Sequence, residues 1–229
     1  MLEKLKETVF KANLDLVRHG LVIQTWGNVS GRDKETGMVV IKPSGVKYDA
    51  MKPSDMVVLD PDGKVVEGKY KPSTDAPTHL LLYKTWNTLG GIVHTHSAYA
   101  TSWAQAGKSI PPFGTTHADH FYGEVPCTRL LNSKEIASDY ELNTGKVIIE
   151  KVGKRDPLFV PSVLVNCHGP FSWGIDPESA VNNAVSLEEI SRMALYTVLL
   201  GKSEAVDKTL LDKHFHRKHG RDAYYGQEK

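Results

Sequence analysis

Leu2, Leu5, Val9, Ala12 and Leu16 recur three or four positions apart, the spacing of one helical face, and Gly20 stands where such a helix closes. Leu21-Val22-Ile23 reads as extended chain, and Trp26-Gly27-Asn28-Val29-Ser30-Gly31 as a turn of small residues. Met38-Val39-Val40-Ile41 predicts a buried strand that ends in Lys42-Pro43-Ser44-Gly45, a basic residue before a tight turn. Met56 to Leu59, Asp60-Pro61-Asp62-Gly63 and Lys64-Val65-Val66 read as a strand, a turn and a strand, hence a hairpin. Pro72-Ser73-Thr74-Asp75, followed by Pro77 and an apolar run, predicts a helix N-terminus. After Gly90-Gly91 the β-branched pair Ile92-Val93 starts another strand, and a helix follows from Ser97 to about Gly107.

Further on, Thr116-His117-Ala118-Asp119-His120 is a dense group of titratable residues in a loop or short helix. One helix is predicted within Ile136 to Val152, with Gly145 as a candidate break. Pro161 to Cys167 reads as a strand with His168-Gly169 at its end. Pro177-Glu178-Ser179-Ala180 opens a long helix reaching Leu200, and Leu210 to Arg217 forms a last short one. Strands interleaved with helices argue for an α/β or α+β layered fold. No repeat, low-complexity tract or linker divides residues 1–229, so a single domain is expected.

Composition narrows the function. A net charge of +1 gives no global field toward nucleic acid or a membrane, so an anionic ligand must be held by local groups. No stretch approaches the roughly 20 apolar residues of a membrane helix. The first residues are charged and amphipathic, unlike a secretory signal, and two distant cysteines, Cys127 and Cys167, suggest a reducing cytoplasm without disulfides.

Histidines carry the candidate chemistry. On a strand, His94 and His96 point to the same side, and two imidazoles there suit one metal ion. A lone His-x-His pair is a weak signal. His168, at a second strand end, would complete the three-ligand set of a catalytic zinc site. By strand parity Cys167 faces away from His168, into the core. Asp75 can add a carboxylate ligand or orient a ring, or it can simply cap its helix. His79, one turn on, reads as packed or as a support behind the ligands. A second theme is anion recognition: Asn28, Lys42, Ser44, Gly45, Ser73 and Thr74 are small or polar residues at turns and a helix start, the groups that hold phosphate. Each alone is commonly just a turn residue; near a metal they suggest a phosphorylated substrate.

In this order and spacing, Trp26-Gly27-Asn28-Val29-Ser30, Lys42-Pro43-Ser44-Gly45, Pro72-Ser73-Thr74-Asp75, His94-Thr95-His96-Ser97, Thr116-His117-Ala118-Asp119, Asn166-Cys167-His168-Gly169 and Tyr224-Tyr225-Gly226-Gln227 carry a resemblance over nearly the whole chain. The sequence resembles the class II aldolase and adducin family, and within it the epimerases of L-ribulose 5-phosphate. The resemblance implies a central, mostly antiparallel sheet flanked by helices, and a cytoplasmic homotetramer of fourfold symmetry with one zinc ion per active site at a subunit interface. Manganese or cobalt would be tolerated there. His94, His96 and His168 match the metal ligands, and Asp75 the carboxylate that accompanies them. Gly27, Asn28, Ser44, Gly45, Ser73 and Thr74 match the substrate-binding segments, with Lys42 beside the phosphate. Asp119 and Tyr225 match two acid/base residues that reach the site from a neighbouring subunit, Tyr225 on a C-terminal helix and tail (about 207–229) that contributes to the interface. His214 matches a further polar residue near them.

The implied reaction interconverts L-ribulose 5-phosphate and D-xylulose 5-phosphate, as in arabinose or ascorbate breakdown. The C4 hydrogen is not next to the carbonyl and is not acidic, so inversion goes through cleavage of the C3–C4 bond, rotation of the aldehyde and re-addition. Three alternatives share the frame. They are an L-fuculose-1-phosphate type of aldolase, which carries Glu in place of Asp75, a methylthioribulose-phosphate dehydratase, and a non-catalytic adducin-like interaction domain.

Overall fold

The computed structural model describes residues 2–220 and 223–226. Seven strands pair antiparallel throughout: β1 (Asn28–Arg32), β2 (Val39–Ile41), β3 (Val57–Leu59), β4 (Val65–Glu67), β5 (Gly91–His94), β6 (Ser162–Leu164) and β7 (Pro170–Gly174). They lie in the order β4-β3-β2-β1-β5-β7-β6 within one domain. Side chains alternate across the sheet, so its two faces carry separate cores. Val39, Ile41, Val57, Leu59, Ile92, Val163, Phe171 and Trp173 pack with α2 (Ala76–Thr85) and α6 (Tyr140–Val152). On the opposite face Val29 and Val93 meet α1 (Glu3–Arg18) and α7 (Pro177–Leu199), while Val40 and Val58 meet Val9 of α1. On that same side α3 (Ala98–Gln105) packs between α7 and Leu164 of β6. The remaining helices are α4 (Thr115–Ala118), which contacts α8 (Lys208–His216), and α5 (Ser133–Ala137), which contacts α6.

Several sequence expectations hold. The amphipathic first helix, the hairpin β3–β4, the α2 start with its early proline and the long α7 are all present. α7 begins with a capping box in which the Asp176 side chain accepts from Ser179 N–H, and Pro177 takes the first helical position.

Others are corrected. Residues 26–31 are not a turn: Asn28 to Arg32 is β1, at the centre of the sheet. Gly31 and Ser30 have little strand preference of their own, and pairing on both sides supplies what propensity does not. Where β2 ends, the buried Asn13 of α1 takes its place, accepting from Val29 N–H at 2.9 Å and donating to Val29 C=O at 3.1 Å. The region 136–152 holds parts of two helices, α5 and α6, separated at Ser138. Gly145 does not break α6; it lies against α2, where a Cβ would come within 2.9 Å of Leu81 Cδ2, so glycine lets the two helices close together. The strand at 161–167 ends at Leu164, and β7, which was not anticipated, pairs with it as a hairpin. His168 sits in the connecting turn, where Cys167 has φ 59°, and this left-handed residue breaks strand parity. Cys167 is therefore exposed, not core.

Candidate active site

Three neighbouring strands bring their residues level at one end of the sheet. Asn28 of β1 and Phe171 of β7 both lie opposite His94, the last residue of β5. The His94 ring stacks on Phe171, with centroids 4.2 Å apart. Its Nδ1–H donates to the Pro170 carbonyl at 2.9 Å, which leaves the Nε2 lone pair free. His96 lies beyond the strand, yet its Nε2 is 3.2 Å from His94 Nε2. Two nitrogens on one tetrahedral zinc ion, each at about 2.0–2.1 Å, stand about 3.3 Å apart. His168 enters from the β6–β7 turn, its ring 4.7 Å from that of His94 and 5.1 Å from that of His96. One ligand atom from each of the three lies within 4.8 Å of the others. Burial, reinforced by the charges of His94 and His96, pushes His168 down to about 3. Burial and then His94 also lower His96. Neutral imidazole is the form that binds a metal.

Asp75 stands at the N-cap of α2 but makes no side-chain cap. Its Oδ2 instead accepts from Asn28 Nδ2 at 2.7 Å and from Ser73 Oγ at 3.3 Å. Burial works to raise its pKa, but the charges of His94 and His79 and the Asn28 hydrogen bond outweigh it and hold the carboxyl below its ordinary value. Asp75 lies beside the imidazoles without joining the close group of three. His79 is fully buried, with Nδ1 2.7 Å from Ser30 Oγ, and burial pushes it down to about 3. It is a packed histidine, its ring edge-on to Phe171.

These groups face a cleft of about 610 Å³ whose walls include Gly27, Asn28, Lys42, Ser44, Gly45, Ser73 and Thr74 as well as Asp75, His94, His96 and His168. The expected metal and substrate residues thus meet in one place, His214 excepted. Lys42, at the end of β2, is buried with Nζ 3.4 Å from the carbonyls of Thr25 and Pro43 and 4.8 Å above the Tyr48 ring. Among the described residues no carboxylate pairs with it, and burial alone lowers it to about 8. A buried ammonium without a counter-ion is a ready partner for an anion. Asn28 Oδ1 is likewise buried and unpartnered among the described residues. Gly27 has φ 74°, and a Cβ there would lie 2.9 Å from the His94 carbonyl; only glycine lets this loop rest on the end of β5.

The same walls include five residues that were not site candidates: Thr25, Pro43, Trp26, whose ring is 6.2 Å from that of His96, and Tyr140 and Glu141 at the start of α6. The box formed by Asn132 and Glu135 was the available signal that a helix begins at Ser133, ahead of Tyr140.

Asp119, His214 and Tyr225 gather elsewhere. Asp119, just after α4, accepts from Arg217 Nη2 at 2.7 Å and Nε at 3.1 Å and from His214 Nδ1 at 3.0 Å, with Lys218 Nζ 3.3 Å away. Burial acts to raise its pKa, and the hydrogen bonds from Arg217, His214 and Lys218 prevail and hold the carboxyl below its ordinary value. Tyr225 folds back to donate its N–H to the Arg217 carbonyl at 3.0 Å, with its exposed ring over Arg217 and Lys218. None of this second cluster lines the histidine cleft. Gln227, the last residue of the terminal motif, lies outside the described residues.

Comparison with known proteins agrees with this geometry. Residues 7–195 match the Class II Aldolase and Adducin N-terminal domain. The L-ribulose-5-phosphate 4-epimerase UlaF of Salmonella paratyphi B (strain ATCC BAA-1250 / SPB7) is 58% identical over 99% of this chain and 100% of its own length. The protein of the same name from Salmonella typhi is equally similar. Among solved structures, an L-fuculose 1-phosphate aldolase superposes with a TM-score of 0.78 at 25% identity, covering 92% of this chain and 94% of its own. Another, from Glaciozyma antarctica PI12, has a TM-score of 0.78 at 20% identity over 96% of this chain and 84% of its own, and speaks for the fold alone. The chain belongs to the class II aldolase and adducin N-terminal domain family.

Proposed function

We propose that this protein is a zinc-dependent epimerase interconverting L-ribulose 5-phosphate and D-xylulose 5-phosphate, working as a cytoplasmic C4 homotetramer. The observation that carries the reading is the convergence of three imidazoles in a cleft that also holds a buried lysine with no carboxylate partner among the described residues. The identity to the Salmonella epimerases favours this over an aldolase, whose solved relatives are far less similar in sequence.

His94, His96 and His168 hold the ion, with Asp75 beside them as a fourth ligand or as a charge behind the ring nitrogens. A divalent cation there supplies positive charge to the oxyanion that C3–C4 cleavage creates. Lys42, the hydroxyls of Ser44, Ser73 and Thr74, and the backbone at Gly27 and Gly45 grip the phosphate. That grip retains the aldehyde fragment while it turns over. The free Asn28 Oδ1 accepts from a sugar hydroxyl. Asp119 and Tyr225, which do not reach the cleft of their own chain, serve the cleft of a neighbouring copy. There they exchange the C4 hydroxyl proton on opposite faces of the aldehyde, with His214 alongside Asp119. The C-terminal helix and tail form that interface. Incubation with L-ribulose 5-phosphate tests the reading: D-xylulose 5-phosphate should accumulate. Release of free glycolaldehyde phosphate at a comparable rate would identify an aldolase instead.

A further inference from the structure

Of the three imidazoles only His94 belongs to a regular element. His96 lies in the short link between β5 and α3, and His168 sits in the turn between β6 and β7. A ligand in a turn needs its ring orientation set by something else. Among the described residues the His168 Nδ1 has one neighbour of that kind, the hydroxyl of Tyr140, at 3.3 Å. Tyr140 is the first residue of α6, and that helix end is well fixed. Thr144 Oγ1 donates to the Tyr140 carbonyl at 2.9 Å, Thr78 Oγ1 of α2 donates to the Glu141 carbonyl at 2.5 Å, and Gly145 seats α6 against α2. The hydroxyl therefore reaches the turn from a rigid support.

The direction of this hydrogen bond decides what His168 can do. If the hydroxyl donated to Nδ1, the ring proton would sit on Nε2, and His168 could not be a ligand through that atom. If the hydroxyl accepts, Nδ1 keeps the proton and Nε2 presents its lone pair. His94 has the same arrangement, with the Pro170 carbonyl, which can only accept, in the place of the tyrosine. We propose that Tyr140 is a positioning residue for His168. Its hydroxyl oxygen accepts Nδ1–H, which fixes the tautomer and the ring plane, and its own proton is left to face the cleft that Tyr140 lines. The cleft-facing O–H then also offers one hydrogen bond to an oxygen of the bound sugar.

The proposal rests on the metal-site reading above, and its test separates the two. Tyr140→Phe keeps the ring and removes only the oxygen. Chelator competition on the zinc-loaded, full-length protein should show zinc held about 10-fold or more weakly in the variant, while the melting temperature after chelation stays that of the parent. In ring ¹H–¹⁵N spectra of the zinc-loaded parent, His168 should show a protonated Nδ1 in slow exchange with water, and the variant should lose that slow exchange. Zinc held within about twofold of the parent overturns the role of Tyr140 and leaves the metal site standing. A parent that retains no divalent metal overturns both. Should the variant fail to fold, the parent spectrum decides alone, and a proton on Nε2 of His168 overturns the proposal.

Discussion

His94 donates its Nδ1–H to the carbonyl of Pro170 at 2.9 Å, across the β5–β7 pair. The acceptor is backbone, in a strand, so the tautomer of this histidine is set by the sheet itself. It points Nε2 at His96 whether or not an ion is bound. The two nitrogens are already at the spacing of ligands on one ion, so binding demands little rearrangement.

His96 is the proposed ligand to remove, because it is exposed and His94 is not. His96→Ala should leave the fold within about 0.5 kcal/mol of the parent, as exposed substitutions do, and should abolish stoichiometric metal. Elemental analysis of the purified variant checks this; a full complement of metal would count against the assignment.

Lys42 gives a prediction of opposite sign for stability and binding. Its folded pKa, about 8, lies below its unfolded value, so the folded state carries a penalty for the ammonium at neutral pH. The unfolded chain binds more protons between about 8 and 10.5, and stability rises with pH across that window. Lys42→Met should therefore be more stable than the parent at pH 7, by about 1–2 kcal/mol after allowing for water at the cleft mouth. That advantage should fade as pH climbs through the window, while KM for the sugar phosphate rises sharply. Denaturant titrations at pH 7 and 10 read the first effect. Equal stability at pH 7 would contradict the buried, unpaired ammonium.

Asp119 behaves the other way. Its carboxyl is held below its ordinary range, so its contribution is complete above the unfolded pKa, about 4, and is lost as pH falls through the lower folded value. Asp119→Asn should flatten the acid limb of melting temperature against pH. On the proposed reaction it should also lower turnover by about 10²–10⁴-fold, with zinc retained. Tyr225→Phe should lower turnover over a similar range, yet leave stability almost unchanged, since the ring is exposed. Near-parent turnover in both variants would remove these residues from the proton transfers.

Glu188 of α7 accepts from the N–H groups of Tyr99 and Ala100, each at 2.9 Å, and so caps α3 in place of Ser97. Glu188→Ala should cost about 1–2 kcal/mol, the loss of a helix cap. Thermal unfolding measures it, and an unchanged midpoint would deny the capping role.

What could be read from the chain follows where local rules are strong. The apolar spacing from Val9 to Leu16, the Asp60–Gly63 turn and the proline at position 77 each settle an element without help from distant residues. β1 was missed because Asn28 to Gly31 are strand residues only by virtue of β5, β2 and Asn13. His168 was placed at the site, but by a parity argument that one left-handed residue, Cys167, invalidates. The same argument put Cys167 in the core when it is exposed. The capping role weighed for Asp75 fails because Asn28, 47 positions away in sequence, takes its carboxylate. Tyr140 could not be found from the chain alone, since its value depends on how α6 docks against α2. The cluster around Asp119 was legible only through the family resemblance, because its partners lie up to 100 positions away.

The most direct measurement combines substrate and metal. The purified protein is given L-ribulose 5-phosphate, and D-xylulose 5-phosphate is followed before chelation, after chelation and after zinc is restored. Conversion that stops on chelation and returns with zinc, and that is absent throughout in His96→Ala, is the predicted result. Conversion that continues undiminished after the metal is removed would contradict the account.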